Sequence, residues 1–269
     1  MKKTLSFSNP ISNTSLISLW MRAYESHRPN GLFKDHCATR LVEQLPFDFS
    51  IYHDEYITQT CIALRTEYFD AIAKQHMRAS PNALLVNLGC GLDARFQRTD
   101  RGKGSQIDLD LPDVIAVRNE LMPATSSRNT YWEGSLLETE WMDRLLKEYP
   151  DADLMFMLEG VLMYFEEEQV RNLLAELAHR FEDAHIVFDI CSPLTVKNTS
   201  LYEQMWQAPV PFVWGVANLK ELEHWHPRLC LKEVVYYFNR HPERWGWYSY
   251  WHHVPKFGNA TRIVHYQVQ

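Results

Sequence analysis

The sequence has few of the features that mark nucleic-acid binding, export or membrane insertion. Its 269 residues carry 27 Lys and Arg against 34 Asp and Glu, a net charge of −7, and no basic cluster. Because nucleic-acid binders present a basic face to the phosphate backbone, this balance argues against such a partner. The N-terminal segment has no continuous apolar run, and no stretch approaches the ~18 apolar residues of a membrane span. We therefore expect a soluble, unexported protein with neither partner.

Paired cysteines and metal-binding motifs are also missing. The five cysteines are scattered, without a C-x-x-C pair: Cys37, Cys61, Cys90, Cys191 and Cys230. This pattern predicts neither a disulfide framework nor a zinc ribbon, and it indicates the reducing cytoplasm. The closely spaced pairs His224/His226 and His252/His253 lack the spacing of an H-x-x-x-H or H-E-x-x-H site, so we expect no metal.

The chain has the size and apolar content of one large domain. A hydrophobic content of 46% supports a sizeable core. Apolar residues recur at helical spacing between residues 15 and 79, which predicts a helical extension over 1–80 that belongs to the same domain. We expect residues 81–269 to form the core, with a lid-like insertion at about 191–228.

Strands and helices are predicted to alternate after this extension. Strand-like runs cover 83–88, 105–109, 129–132, 154–158 and 185–190, with amphipathic helices at 113–121 and 167–181. This rhythm predicts an α/β fold whose parallel sheet is covered by helices on both faces. Two further β-like runs, 229–238 and 261–268, predict an antiparallel terminal hairpin at the edge of a mostly parallel, seven-stranded sheet.

The most informative local pattern is the segment LLVNLGCGLDARFQR, residues 84–98. Gly89 and Gly91 follow a buried strand, and glycines permit a turn at positive φ that brings backbone N–H groups close to a ligand. Asp108 and Asp110 end the next strand, where a carboxylate can accept hydrogen bonds from ribose hydroxyls. The pattern predicts a nucleoside-containing cofactor, and a tight strand-to-helix turn is the alternative. The long helical prelude and terminal hairpin favour a methyltransferase layout over a nicotinamide-dependent dehydrogenase.

Three blocks in order resemble one family. LVNLGCGLDARFQR, IDLDLP at 107–112 and LEGVLMYF at 158–165 are similar to the leucine carboxyl methyltransferase family, which includes polyketide O-methyltransferases of the tetracenomycin type. The resemblance covers roughly residues 20–190. It implies a Rossmann-like class I methyltransferase fold that binds S-adenosyl-L-methionine.

The resemblance also implies roles for individual residues. Arg65, in ALRTEYFD, would hold the methionine carboxylate of the cofactor, since a guanidinium offers a carboxylate two parallel donors. The loop Gly89, Cys90 and Gly91 would lie under the methionine and ribose portions. Asp110 would accept from the ribose hydroxyls, and we expect Asp108 to be a solvent-exposed charge at the strand end.

Further positions follow from the same blocks. Glu159 would face the amino group or the sulfonium side of the cofactor. The family often has an aspartate after the third strand to receive the adenine amino group, whereas this chain has Ser135 and Leu136, so adenine recognition would depend more on backbone atoms and on Leu136. Asp93 and Arg95 fit the loop pattern, but a local ion pair or a helix N-cap also explains them. For a further N-terminal basic residue, Arg22 and Arg28 compete.

The implied chemistry is methyl transfer to oxygen, with the carboxylate of a small molecule as the expected acceptor. A carboxylate is already ionised at pH 7 and needs no general base. For a hydroxyl acceptor, His252, His253 or His224 would be candidate bases, and Tyr164 could flank the acceptor. Phe212 and Trp214, with Met205 and Trp206, would belong to the lid. A nicotinamide-dependent oxidoreductase and a non-catalytic, cofactor-binding regulatory protein stay as alternatives.

Overall fold

The computed structural model describes residues 7–53, 55–199, 210–254 and 258–269. Its strands form one seven-stranded sheet in the order β3-β2-β1-β4-β5-β7-β6. They are β1 (Ala83–Leu88), β2 (Ser105–Asp110), β3 (Asn129–Glu133), β4 (Asp153–Leu158), β5 (His185–Cys191), β6 (Leu229–Tyr236) and β7 (Thr261–Val268). The first five strands are parallel, whereas β7 runs antiparallel to both β5 and β6. The predicted mostly parallel sheet with an antiparallel terminal hairpin is confirmed.

Helices precede the sheet and separate its strands. The described α-helices are α1 (Pro10–Asn13), α2 (Ser15–His27), α3 (His36–Gln44), α4 (Tyr56–Ala79), α5 (Arg95–Thr99), α6 (Pro112–Leu121), α7 (Glu140–Glu148), α8 (Glu167–Arg180) and α9 (Pro193–Lys197). Short 3-10 turns lie at Phe49–Tyr52, Leu162–Tyr164, Leu219–Trp225, Tyr237–Asn239, Pro242–Arg244 and Gly246–His253. None of the described helices combines the length and apolar character needed to cross a membrane.

The predicted helical stretch at 15–79 is divided into three helices. α2 ends just before Pro29, which cannot continue a helix with its missing N–H. α3 restarts where the Asp35 carboxylate accepts the Ala38 N–H at 2.8 Å, an N-cap contact that satisfies an unpaired helix donor. It ends at Gln44, two residues before Pro46. The prediction of helices in this stretch is confirmed, whereas α3, α5 and α7 were not named by it.

The sheet is buried on both faces. On β1, Leu84, Val86 and Leu88 belong to the larger core cluster, whereas Leu85, between Leu84 and Val86, packs with Leu64 and Phe69 of α4. This alternation is the two-residue period of a strand covered on both sides. From β1 the chain first builds outward to β2 and β3 and then returns to add β4 and β5 on the other side of β1. In open α/β sheets, ligands bind beyond the carboxyl ends of the strands at such a switch point.

Three histidines meet at the opposite end of the sheet. His265 Nε2 lies 2.8 Å from His185 Nδ1, and the ring of His185 lies 6.3 Å from that of His76. Burial, followed by the influence of His185, lowers the pKa of His265 to about 4. The folded protein therefore holds His265 neutral over a range in which an unfolded histidine binds a proton.

We predict that this cluster makes the protein less stable in mild acid. Between about pH 6.5 and pH 4 the unfolded chain binds more protons at this site, so the free energy of unfolding falls as the pH falls. In urea unfolding at pH 7 and pH 4.5, His265→Gln should lose less stability than the unmodified protein, by on the order of 1 kcal/mol. The exposed His224 provides the control, since His224→Gln should keep the original pH dependence. Equal pH dependence in all three proteins would contradict the assignment.

Candidate functional site

Two adjoining cavities open at the carboxyl end of the parallel strands. The first, of about 270 Å³, is bounded by the loop after β1, the end of β2, the end of β4 and helices α1 and α2. The second, of about 290 Å³, lies between α4, the turn after β4, the end of β5 and the turns that follow β6. We call them the glycine-loop cavity and the aromatic cavity. Both are lined by Thr14, Ser18, Arg65 and Gly160.

The glycine loop is shaped by close packing against the end of β4. Gly89 and Gly91 adopt φ values of +67° and +49°, in the left-handed region that side chains disfavour. A Cβ atom on Gly89 would lie 2.7 Å from Cγ2 of Val161. Glycine at position 89 is therefore required both by the backbone conformation and by the space available.

The amide groups of this loop point back into the sheet. The N–H groups of Gly89 and Cys90 donate to the Leu109 carbonyl at 2.9 and 3.2 Å, and the Gly91 N–H donates to Asp110 Oδ2 at 2.7 Å. All three amides are thus bonded within the fold, and the approach of the loop to a ligand stays a prediction. A dinucleotide pyrophosphate requires such donors, so this loop does not form the usual phosphate cradle.

Asp110 presents its carboxylate to the glycine-loop cavity from the end of β2. Its two oxygens accept the N–H groups of Gly91 and Leu111 at 2.7 and 2.8 Å. Burial raises the pKa of Asp110, and these two hydrogen bonds oppose the shift. Each carboxylate oxygen has a further lone pair, so Asp110 can accept hydroxyl groups from a ligand as well.

Arg65 lines both cavities and is bonded to Glu159, which lines the glycine-loop cavity. Arg65 Nε donates to Glu159 Oε1 and Nη1 donates to Asp189 Oδ2, both at 3.0 Å. Burial favours the neutral forms, but Arg95 and Arg65 outweigh it and lower the pKa of Glu159. Burial by itself would lower the pKa of Arg65, but the negative charges of Asp189 and Glu159 outweigh it and raise that pKa. Both groups are therefore charged at neutral pH.

A wider buried network holds Glu159 in place. Arg95, whose side chain is fully buried, contacts Glu159 Oε2 and pairs with Asp70 and Asp93 at 3.0 Å. Further ion pairs join Arg98 to Asp35, Asp70 and Asp93, and Arg22 to Asp35. Removing one member of such a buried set leaves a charge unpaired and costs roughly 3–5 kcal/mol. The network therefore fixes the glycine loop, α2, α4 and α5 relative to the end of β4.

Comparison with known proteins identifies the family. The model of the leucine carboxyl methyltransferase family matches residues 15–178. A tetracenomycin polyketide synthesis O-methyltransferase of Streptomyces glaucescens is 26% identical over 225 residues, which is 83% of this chain and 82% of that protein. An S-adenosyl-L-methionine-dependent methyltransferase of Gibberella zeae is 24% identical over 258 residues, covering 87% and 85%.

The chain belongs to the leucine carboxyl methyltransferase family. It is a methyltransferase that depends on S-adenosyl-L-methionine, which rules out the nicotinamide alternative. Solved structures agree in fold. A DUF574 family protein from Streptomyces avermitilis superposes with a TM-score of 0.58 at 12% identity, covering 95% of this chain and 97% of that one. Magnesium protoporphyrin IX methyltransferase of Synechocystis with bound S-adenosylhomocysteine gives 0.51 at 11% identity, covering 81% and 91%.

The charge of the glycine-loop cavity fits the family's cofactor. The cavity's charged lining residues are Arg22 and Arg65 on one side and Asp93, Asp110 and Glu159 on the other. The carboxylates thus outnumber the arginines in a region where unmatched charge is costly. S-adenosyl-L-methionine has a sulfonium and an ammonium group against one carboxylate, so its net positive charge complements this excess.

All the residues expected to bind the cofactor in this methyltransferase line one cavity. They are Arg65, Gly89, Cys90, Gly91, Asp110, Ser135, Leu136 and Glu159. Ser135 lies after β3, where its Oγ accepts the Leu137 N–H at 3.2 Å. The individual roles of these residues stay predictions. Of the two competing N-terminal arginines, Arg22 lines the cavity, whereas Arg28 lies beside Glu25 with its side chain one-third exposed.

The structure contradicts the expectation for Asp108 and shows one of the alternatives considered for Asp93 and Arg95. Asp108 is not a solvent charge: it is 1% exposed, because β2 lies between β1 and β3 in the sheet. Its carboxylate accepts the side-chain amides of Asn87 and Asn129 and pairs with Arg118 at 3.0 Å. Asp93 and Arg95 do form the local ion pair that was considered as an alternative, at 3.0 Å.

Of the candidate catalytic residues, Tyr164 reaches the aromatic cavity. Burial raises its pKa to about 12, so the phenol is protonated at neutral pH, and its ring lies 5.3 Å from that of Phe212. His253 and His224 are exposed and line neither cavity. The His252 side chain lies outside the described part of the chain, as do Met205 and Trp206 of the predicted lid. Phe212 lines the aromatic cavity, and the lid stays a prediction.

Sequence reasoning missed several residues of the aromatic cavity. Asp189 interrupts the otherwise apolar interior of β5, and a lone carboxylate in a buried strand is a signal that could have been used. Tyr237 and Trp245 come from the turns after β6, and Cys61 and Cys191 from α4 and the end of β5. No local pattern distinguishes these residues from ordinary core positions.

We predict that Gly89→Ala weakens cofactor binding at least tenfold. The added Cβ would press on Val161 at the cavity wall and strain a left-handed backbone, which costs of order 1–3 kcal/mol. Titration calorimetry with S-adenosylhomocysteine measures the affinity. Gly102→Ala is the matched control, because Gly102 has φ of +82° but nothing within 4 Å of an added Cβ. Unchanged affinity in Gly89→Ala would show that the loop does not contact the cofactor.

Proposed function

We propose that this methyltransferase transfers the methyl group of S-adenosyl-L-methionine to a carboxylate oxygen of a small organic acid. The observation that carries the proposal is the wall shared by the two cavities, formed by Thr14, Ser18, Arg65 and Gly160. A cofactor in the glycine-loop cavity and an acceptor in the aromatic cavity would meet there. The methyl donor and the methyl acceptor would then each occupy a cavity of their own, with the charged Arg65 between them.

The aromatic cavity favours an acceptor that is already ionised. Among the described lining residues, burial raises the pKa of Cys61, Cys191 and Tyr164 to about 12, and that of Tyr237 well above its usual value. Asp189 is paired with Arg65, and no histidine occurs among the described lining residues. None of these groups is suited to remove a proton from an alcohol at pH 7. A carboxylate, with a usual pKa near 4, needs no such help.

The proposed mechanism depends on positioning. S-adenosyl-L-methionine supplies an electrophilic methyl group on its sulfonium. The rigid network around Glu159 would hold the cofactor, and the apolar cavity would exclude water from the approaching carboxylate. Alignment of two bound reactants can supply roughly 7–11 kcal/mol of barrier reduction, so no acid–base residue is required. The new bond joins the acceptor oxygen to the methyl carbon as the carbon–sulfur bond breaks, and no proton moves.

The lining also favours a small acceptor with an apolar body. Phe212, Phe238, Trp245 and Tyr248 surround most of the aromatic cavity, and its volume of about 290 Å³ suits a small molecule better than a protein segment. The Streptomyces glaucescens relative is described as an enzyme of polyketide synthesis, which supports the same choice. A phenol or alcohol acceptor is the second candidate, and it would require a base from outside the described lining.

We expect a base-labile methylated product. The protein should be incubated with methyl-labelled S-adenosyl-L-methionine and either a metabolite extract or a panel of hydrophobic carboxylic acids. Methyl esters release labelled methanol in mild alkali, whereas methyl ethers and N-methyl groups keep the label, so volatile counts report ester formation. Gly102→Ala serves as an active control for protein handling. Label that resists alkali would refute a carboxylate acceptor, and no incorporation from either source would favour the non-catalytic alternative.

A second test concerns Arg65 as the clamp for the methionine carboxylate. Its guanidinium has five N–H donors, and three engage Glu159, Asp189 and Ser18. We expect Arg65→Lys, which keeps the charge and loses the planar fork, to weaken S-adenosylhomocysteine binding about tenfold or more. Calorimetry provides the affinity, and circular dichroism checks the fold.

The exposed Arg144, paired with Glu148 on α7, gives the control variant Arg144→Lys, for which binding should not change. Arg65→Ala complements it by removing the charge as well. Binding as tight as that of the unmodified protein in both Arg65 variants would remove the clamp assignment.

A further inference from the structure

Tyr237 has a buried hydroxyl without a hydrogen-bond partner. The residue opens the turn Tyr237–Asn239 directly after β6, is 2% exposed and lines the aromatic cavity. Within the described residues, no donor or acceptor lies in hydrogen-bonding position to its Oη atom. Buried polar groups in folded proteins are almost always paired, so an orphaned hydroxyl beside a cavity points to a partner supplied by a ligand.

Two other tyrosines of this fold have hydroxyl groups that are hydrogen-bonded within the protein. Tyr266 donates its hydroxyl to the Leu219 carbonyl at 2.8 Å, and Tyr131 donates to the Met122 carbonyl at 2.7 Å. Both are largely buried, and neither lines either cavity. The unpaired hydroxyl of Tyr237 is therefore a property of its place at the aromatic cavity and not a general feature of tyrosines in this fold.

The surroundings of Tyr237 define what it can bind. Burial, reinforced by the negative charge of Asp189, raises the pKa of Tyr237 well above its usual value. The hydroxyl is therefore protonated at any physiological pH and can act as a donor. Arg65, which lines the same cavity, lies close enough to affect this titration. Asp189 lines the cavity too, but its carboxylate accepts Arg65 Nη1 and the Gly160 N–H. The Tyr237 hydroxyl and the remaining N–H groups of Arg65 are therefore donors that an anionic oxygen can use.

We propose that the Tyr237 hydroxyl donates a hydrogen bond to a carboxylate oxygen of the methyl acceptor and thereby selects acids for the aromatic cavity. This inference rests on the proposed O-methyl transfer. Tyr237 binds the acceptor in this scheme and transfers no proton. As the methyl group is added, the carboxylate loses its charge and becomes an ester, so the hydrogen bond is stronger before the reaction than in the transition state.

The test is Tyr237→Phe, which removes only the unpaired hydroxyl. Steady-state kinetics should use the panel acid with the highest kcat/KM. We expect the KM for the acid to rise about tenfold, as for the loss of a hydrogen bond to a charged group. Because the contact weakens along the reaction, its loss destabilises the bound acid more than the transition state, so kcat should not fall and should rise by at most about threefold. Affinity for S-adenosylhomocysteine should not change, and the thermal midpoint should stay equal or rise, since no described protein hydrogen bond is lost.

Tyr266→Phe is the matched control. It removes a buried hydroxyl that is bonded to Leu219, so it should lower the thermal midpoint and leave the KM unchanged. An unchanged KM in Tyr237→Phe, while the unmodified protein methylates acids, would overturn the inference alone. A fall in thermal midpoint with unchanged KM would assign Tyr237 a structural role. If no acid in the panel is methylated or bound by the unmodified protein, the proposed function fails, and this inference fails with it.

Discussion

The site depends on the buried pairing of Glu159 with Arg65 and Arg95. Glu159 directly follows β4, Arg65 lies on α4 before the sheet, and Arg95 begins α5 after the glycine loop. Three separate parts of the chain are thus fixed to one carboxylate by charge. Buried pairs of this kind add little net stability over apolar packing, but they penalise every arrangement in which a partner is misplaced. The network therefore specifies geometry, which is what methyl transfer between two bound molecules requires.

The glycine-loop cavity could be predicted because its signals are local. Gly89 and Gly91 follow a strand that is recognisable from its apolar run, and Asp110 ends the next strand along the chain. Parallel strands bring such neighbours to one edge of the sheet, so their meeting follows from the fold class. The orientation of groups within this edge could not be predicted. The loop amides turn toward Leu109, and Asp108 is internal, because both outcomes depend on which strands flank β2.

The aromatic cavity was largely hidden from sequence reasoning. Tyr237 and Trp245 reach it through turns whose path depends on the antiparallel hairpin and on packing against α4. His252 and His253 were candidates because they are neighbours in sequence, but adjacency in sequence does not place side chains in a cavity. Asp189 was the one residue of this cavity with a usable signal, since an ionisable group in a buried strand needs a partner.

The two cavities draw on different parts of the chain. The glycine-loop cavity is lined entirely by residues between Asn9 and Phe165, and nearly all of them fall within the 15–178 span that the family model matches. Most residues of the aromatic cavity lie outside that span, many of them between Asp189 and Thr261. Under the proposed function, the acceptor would be surrounded mostly by residues that the family model does not match, and the methyl donor mostly by residues that it does.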